Sequence, residues 1–497
     1  MRDEKADKMT GPGREMSAFS FLKALLALRE DPLVKVVRAV SEESATAVWL
    51  VGGVLRNLAL GRPLAPDYDF VTAGGDILGF CESIAAGTGG SAFLLDRETL
   101  SYRIVTNVEG KTFSLDFSPV KESILNDLSL RDFTVNSLAV DLKDIFESAR
   151  PGVMDPSGGV KDAEARLLRV VSKEAFDADP LRALRAVRLS QQYGLRITPE
   201  TFALMKEKAG LLERSSAERI RDELIAVFSC RGSSGALRLL YSAGMIGSVL
   251  PGAEGWADVD GYGLLEHSLK TLDAAESLLE ELTGKFPAYG SRLTEHFARK
   301  IGVIEMKTVF KLAAFLHDFG KPLSMTREGG RMRFIGHDSA GGALVKEALL
   351  RLKFSRKAAG EVAGLVKNHH RVFDLANLHE PSPRAKAHLF RASGGASGVT
   401  LLCLAAADAR ATRGAQDSGL LRLVDDMLGF YYTVYLKKRP ALIFTGGEVM
   451  KRFGIPEGPL VGEILKKISD GVEKGEIKNK KEAVVFVEGF LCGRKPR

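Results

Sequence analysis

Cysteine is scarce in this chain: Cys81, Cys230, Cys403 and Cys492 are the only four in 497 residues, and no two form a CxxC pair. That spacing excludes a disulfide framework and a thiolate metal centre, and fits reduced thiols in a cytoplasmic protein. Long apolar runs are missing as well. Stretches such as "AFSFLKALLALRE" are broken by charge and too short to span a bilayer, so no membrane partner is expected. Met1 to Glu15 is polar, lacks the apolar core of a signal peptide and reads as a frayed tail. Beyond that tail there is neither an internal repeat nor a low-complexity tract. What is present is a 45% hydrophobic composition, enough for a proper core, over a length that suggests three or four domains. Lysine and arginine outnumber acids by 70 to 63, a net charge of +7 that favours polyanionic partners without naming one.

The hydrophobic pattern divides the chain. From about residue 46 to 155, strand-like runs ("AVWLVGG", "DYDFVT", "SAFLLD", "YRIVTNVE", "TFSLDFSPV") alternate with turns and helical stretches, so a mixed sheet with helices is expected. From about Lys161 the period becomes helical, in "DPLRALRAVRLSQQYG", "PETFALMKEKAGLL", "SAERIRDELIAVFS" and "GALRLLYSAGMIGSVL". Ser215 or Ser216 suits the cap of the third, with Glu218 in its first turn. "PGAEGWADVDGYG" reads as a linker, and a further helical block runs from Leu264 to about Ala415. The expected class is therefore α+β. Its segments are an extension (1–30), a mixed-sheet head (31–155), a helical neck and body (156–252), a helical domain (262–415) and a helical tail (416–497).

Two acids in step open the chemistry. Asp67 and Asp69 lie two apart in a strand and so share one face. Such a pair suits two Mg²⁺ ions, one activating a hydroxyl and one clamping phosphates. In "TFSLDFSPV", Phe113, Leu115 and Phe117 alternate with Ser114, Asp116 and Ser118, which puts Asp116 on a polar strand face as a third acid. Gly52 and Gly53, lacking side chains, let backbone N–H groups approach a triphosphate, and Arg56 adds positive charge one turn on. Taken singly, a DxD or a Gly-Gly turn is commonplace; in this order the set carries weight.

The ordered set resembles the nucleotidyltransferase head of the class II tRNA nucleotidyltransferase and bacterial poly(A) polymerase family. Gly52, Gly53 and Arg56, then Leu60, Gly61 and Arg62, then Asp67, Asp69 and Thr72 follow the family pattern, with Asn57 where an aspartate is usual. In "LSLRDFTVNSLAVDL", Arg131, Asp132 and Asn136 match, with Leu130 replacing an arginine. The resemblance implies that Arg131 and Asp132 contact the ribose and phosphates of an incoming nucleotide. In the neck, Asp179 and Arg182 match a base-reading pair, with Ala178 in place of the usual glutamate. A carboxylate accepts from an exocyclic amine while a guanidinium donates to a ring acceptor, which suits cytosine and adenine and disfavours uracil and guanine. Arg185 and Arg188 continue that helix, towards phosphates or base. Glu218, Arg219 and Glu223 match a further element and read as support for the neck. The resemblance covers about residues 46 to 250.

A second resemblance follows. "LLEHSLKTL", "LAAFLHDFGKP", "IGHDSAGGALV", "LVKNHHRV" and "AAADARAT" come in the order of the HD phosphohydrolase superfamily. The matches are His267, His317, Asp318 and Asp408, with His337 and His369 where two-metal members add ligands; His370 is an alternative to His369. The implied cofactor is a divalent transition metal such as Ni, Mn or Co, with phosphatase or 2′,3′-cyclic phosphodiesterase activity. His296, His379 and His388 are left as structural or surface groups. The combined expectation is attack of an RNA 3′-hydroxyl, that of tRNA or another RNA, on the α-phosphate of ATP or CTP. Asp67 and Asp69 would bind Mg²⁺ and Asp116 would help activate the hydroxyl. CCA repair, A-only or C-only addition and poly(A) synthesis share these motifs. A different class, an HD hydrolase with a nucleotide-sensing head, is weighed against them. The tail's "KNKK" reads equally as a grip on RNA and as a solvated charge run.

Overall fold

The computed structural model describes residues 18–492 apart from 254, 257–262, 330, 379, 415–416, 438–442, 475 and 478. The polar tail, most of the linker, His379 and one lysine of "KNKK" therefore lie outside the described residues.

Seven strands form one mixed sheet: β1 (Ala47–Val51), β2 (Asp67–Ala73), β3 (Ser91–Asp96), β4 (Ser101–Val108), β5 (Lys111–Pro119), β6 (Ala139–Asp141) and β7 (Val153–Met154). Their order is β3-β4-β5-β2-β1-β6-β7, and β2 runs parallel to β5 while the other pairings are antiparallel. The five strand-like runs became β1 to β5; β6 and β7, of three and two residues, are too short to show a period. Alternation in β5 buries Leu115 and Phe117 and leaves Asp116 on the other face. Phe117 stacks on Phe70 at 4.9 Å between ring centroids, which pins the β2–β5 register from behind. Between the two acids of β2, Tyr68 points the opposite way, is buried, and donates to Asp31 Oδ2 at 2.7 Å. Asp31 also caps the helix Pro32–Ser44, so one carboxylate ties a helix start to the back of the acidic strand.

Helix α1 (Gly53–Ala59) leaves β1 directly, and α2 (Ile124–Ser129) precedes the turn that carries Arg131 to Asn136. The helical region follows with α3 (Leu181–Tyr193) and α4 (Ala217–Ser229). Ser216 is the residue that caps α4, accepting from Arg219 N–H. Then come α5 (Leu264–Lys285), α6 (Met306–Leu316), α7 (His337–Arg351), α8 (Arg356–Asn368) and α9 (Ser397–Arg413). Residues up to Asp374 with Cys403–Asp417 form one compact unit; Leu375–Leu402 and the chain from Ser418 form a second. The second holds its own apolar cluster around Val449, Ile464, Ile468 and Val487, and a capping box at Thr445 and Glu448 starts its helix Gly446–Phe453. No single helix among the described residues is long and apolar enough to cross a membrane.

Candidate active site and metal centre

The sheet gathers the acids through register rather than through sequence proximity. Asp69 on β2 is the partner of Asp116 on β5, and Asp116 is in turn the partner of Arg103 on β4. Three charged side chains thus stand in one row on one sheet face, with Asp67 two residues along β2. Arg103 grips Asp116 in a fork, Nε to Oδ1 and Nη2 to Oδ2, both at 2.6 Å. Sequence reasoning passed over Arg103. The signal was there: Glu109 and Gly110, both at positive φ, make a two-residue hairpin turn that fixes the β4–β5 register.

At the other end of the row, β1 stops at Gly52, whose φ of +68° and ψ of −126° suit glycine alone. A Cβ there would lie 3.0 Å from Arg131 Nη1 and 3.2 Å from Asp69 Oδ2. Burial raises the Asp69 carboxyl above its usual range and Asp116 adds to this, against the pull of Arg131, the Gly53 N–H and Arg56. A crowded, partly desolvated carboxylate pair of hard oxygen donors is a fitting host for a divalent cation such as Mg²⁺.

Asp67 and Asp69 line a cleft of ≈ 610 Å³ together with Gly52, Gly53, Arg56 and Arg131. The same cleft reaches Asp132, Asn136, Arg182, Arg185, Arg188 and Tyr193. Arg56 is buried beneath its floor, donating to Asn136 Oδ1 at 2.8 Å, to the Tyr193 hydroxyl at 2.6 Å and to Asn57 Oδ1 at 3.1 Å. Asn57, in the usual place of an aspartate, here serves as an acceptor for its neighbour. Arg131 is braced by Asp127, its Nε and Nη2 meeting one carboxylate oxygen at 3.0 and 2.9 Å. Asp132 is buried, which by itself would raise its pKa. Arg185 Nη1 at 3.2 Å, the Asn136 amide and the Phe133 N–H outweigh that and hold it below the usual carboxylate range.

In the neck, Arg182 lines the cleft with its Nη2 on Leu130 O at 2.8 Å and its Nη1 on Arg131 O at 3.3 Å. Asp179 does not join it there. One oxygen of Asp179 accepts from Leu181 N–H at the start of α3, and the other takes Arg219 Nη2 at 2.7 Å. Glu223 receives both Arg185 and Arg188. The α4 element is therefore a brace: Arg219 holds Asp179, and Glu223 aims two arginines at the cleft.

The histidines and the remaining acids form a separate cluster. His267 comes from α5, His337 starts α7 and Asp408 sits on α9; His317 with Asp318 follows α6, and His369 with His370 follows α8. His317 Nε2 is 3.1 Å from His267 Nε2 and 3.2 Å from Asp318 Oδ2, and His267 Nε2 is 3.2 Å from Asp408 Oδ1. The other Asp318 oxygen faces His337 Nε2 at 3.3 Å and His369 Nε2 at 3.7 Å. Two groups emerge, His267–His317–Asp318 and His337–His369–His370, with Asp318 between them. His370 joins His369 rather than replacing it: its Nε2 is 3.2 Å from that of His337. Three rings are aimed from behind, with Nδ1 of His317, His337 and His369 on the carbonyls of Ala314, Phe334 and Val366. With Nδ1 turned to a carbonyl, each ring points its Nε2 inward, the arrangement metal-binding histidines use. The buried Nε2 of His369 has no hydrogen-bond partner among the described residues, as expected of a group that serves a cation. Burial keeps this ring neutral, its pKa pushed down to about 3, with His317 adding to the effect. For His317 burial works in the same direction, but Asp318 and Asp408 lift it to about 9. The donor set of imidazoles and carboxylates fits divalent transition metals.

With both sites in view, comparison with known proteins is decisive. The A-adding tRNA nucleotidyltransferase of Deinococcus radiodurans is 31% identical over 452 residues, covering 88% of this chain and 94% of that protein. The chain belongs to the tRNA nucleotidyltransferase family. CC-adding tRNA nucleotidyltransferases of Geobacter sulfurreducens (29% identical, 92% and 95% covered) and Thermus thermophilus (30%, 89% and 94%) match almost as well. Residues 94–169 match the poly A polymerase head domain, 194–256 a probable RNA and SrmB-binding site of polymerase A, and 264–413 the HD domain. Among solved structures, a CCA-adding enzyme with ATP aligns with a TM-score of 0.57 at 20% identity, covering 95% of this chain and 98% of that one. The Thermotoga maritima CCA-adding enzyme complexed with tRNA aligns with a TM-score of 0.55 at 21%, covering 95% and 98%. These establish the shared α+β fold. The head and the HD domain together imply dependence on divalent metals.

Proposed function

We propose that this nucleotidyltransferase extends the 3′ end of tRNA with C, A or both in the cytoplasm, taking CTP and ATP as substrates. The observation that supports this reading is that Asp67, Asp69 and the Gly52–Gly53 turn line one cleft together with Arg182, Arg185 and Arg188. Asp67 and Asp69, with Asp116 beside them, are the Mg²⁺ ligands in this reading. These residues would hold Mg²⁺, which would supply activation of the RNA 3′-hydroxyl and charge neutralisation on the triphosphate. Arg131 and the Gly53 N–H meet phosphate oxygens, while Asp132 and Asn136 hold the ribose. Arg182 donates to the ring acceptor of C or A; Asp179 would accept the exocyclic amine on release from Arg219. With Asp116 helping to take up the 3′-hydroxyl proton, the attacking oxygen bonds to the α-phosphorus as the bond from that phosphorus to the bridging oxygen breaks, and pyrophosphate leaves.

Curated relatives at 29–31% identity include A-adding and CC-adding enzymes and multifunctional CCA proteins, so long homopolymer synthesis is the less favoured reading. The test is to incubate the protein with tRNAs ending before the CCA, after C or after CC, giving each NTP separately. Growth that stops by the third position supports the proposal; long tails, or no incorporation, overturn it. A second reading rests on the histidine cluster. It proposes a phosphohydrolase loaded with Ni, Mn or Co, the metal held by His267, His317, Asp318 and Asp408 and by His337, His369 and His370. Hydrolysis of a 2′,3′-cyclic phosphate that persists in Asp69→Asn and disappears in Asp318→Asn would support it.

A further inference from the structure

Arg103 belongs to neither the family pattern nor the cleft lining, yet it controls both oxygens of the third acid. The fork it makes with Asp116 is half-open to solvent, the two side chains being 37% and 26% exposed. A pair so placed contributes little to holding the sheet together. Its position in the Asp69–Asp116–Arg103 row gives it a different consequence. A carboxylate whose two oxygens both face a guanidinium has the inner lone pair of each oxygen engaged, and offers a cation shared with Asp69 only the outer ones. We infer that Arg103 is a positioning residue that competes with the metal site for Asp116, so that the fork must loosen before Asp116 turns the inner lone pairs of its carboxylate to a divalent cation shared with Asp67 and Asp69. Arg103 then acts as a resident counter-ion, neutralising a three-carboxylate row while no cation is there and competing with the cation for one of its ligands. The attraction of Asp67 and Asp69 for Arg103 is in keeping with this.

The inference rests on the proposed reading of the acids as a metal site, and its test separates the two. Mg²⁺ is titrated into the full-length protein without nucleotide or RNA, followed by calorimetry and by the shift in melting temperature. A D67N/D69N double variant serves as the blank for metal taken up by the histidine cluster. R103Q is expected to lower the half-saturating Mg²⁺ concentration by about 2- to 5-fold, the scale of one exposed ion pair. R103K, which keeps the charge but cannot fork, is expected to shift it in the same direction by less. In a D116N background the R103Q shift is expected to vanish. Unchanged or weaker Mg²⁺ binding in R103Q, or a shift that persists undiminished with D116N, overturns the inference. A D67N/D69N protein that takes up Mg²⁺ like the parent overturns instead the reading of the acids as a metal site.

Discussion

A carboxylate is only as reactive as its neighbours allow, and the acids and bases here divide by what already occupies them. Asp67 is exposed and Asp69 faces Arg131, so both remain open towards the cleft. Asp67→Asn or Asp69→Asn is expected to lower kcat for nucleotide incorporation by about 10²-fold or more without altering the fold, as circular dichroism would check. Glu223 behaves differently, because it reaches the cleft only through Arg185 and Arg188. Glu223→Gln leaves two arginines half-paired, and KM for the incoming nucleotide is expected to rise about 10-fold with a smaller change in kcat. In the histidine cluster, Asp318 turns one oxygen to each group of imidazoles. Asp318→Ala is expected to remove metal from both groups in an elemental analysis, whereas His370→Ala affects one.

Elements decide which of these residues meet. Gly52 ends β1 in a conformation that L side chains avoid, with the Arg131 guanidinium and the Asp69 carboxylate crowding the space a Cβ would need. Gly52→Ala is expected to cost about 1–3 kcal/mol in chemical denaturation and to depress incorporation more than that loss of stability explains. Much at this scale was legible in the sequence. The five strand runs, the α3 and α4 helices and the shared face of Asp67 and Asp69 all follow from period and turn chemistry. The β4–β5 partnership of Arg103 with Asp116 was written only in the hairpin turn, and the parallel β2–β5 pairing that brings Asp116 beside Asp69 was not written locally at all. Parallel neighbours are joined by distant chain, so their register emerges from packing, here the stack of Phe70 on Phe117. Asp179 illustrates the same limit: spacing put it on the same helix start as Arg182, but a third residue from α4 claimed it.

At the scale of the whole chain, His296 is a titrating group whose effect on stability has a clear sign. Burial, helped by Arg299, pushes His296 down to about 4 from 6.5, so the fold holds the ring neutral. The unfolded chain takes up a proton below about pH 6.5, and the folded chain does so only near pH 4. The stability that this ring contributes is therefore complete above pH 6.5 and is lost as pH falls towards 4. For a partly exposed ring the loss is on the order of 1 kcal/mol, and His296→Gln is expected to flatten that part of the curve in urea melts between pH 4 and 7. Motif sets of distinct chemistry follow one another along the chain in the same order as the matching family models, head, RNA-binding and HD.

Tyr193 closes α3 with its ring beneath two cations, Arg56 at 4.1 Å and Arg62 at 4.9 Å from the centroid. Both arginines come from the glycine-turn segment beside the acidic strand, and the tyrosine comes from the helix that presents Arg182, Arg185 and Arg188. In the proposed reading the ring is thus a rivet between the part that would handle phosphates and the part that would inspect bases. Filing it down to leucine should let the two drift apart, and the trace of that slack would be fidelity: more wrong letters at the end of the RNA, written at nearly the normal speed.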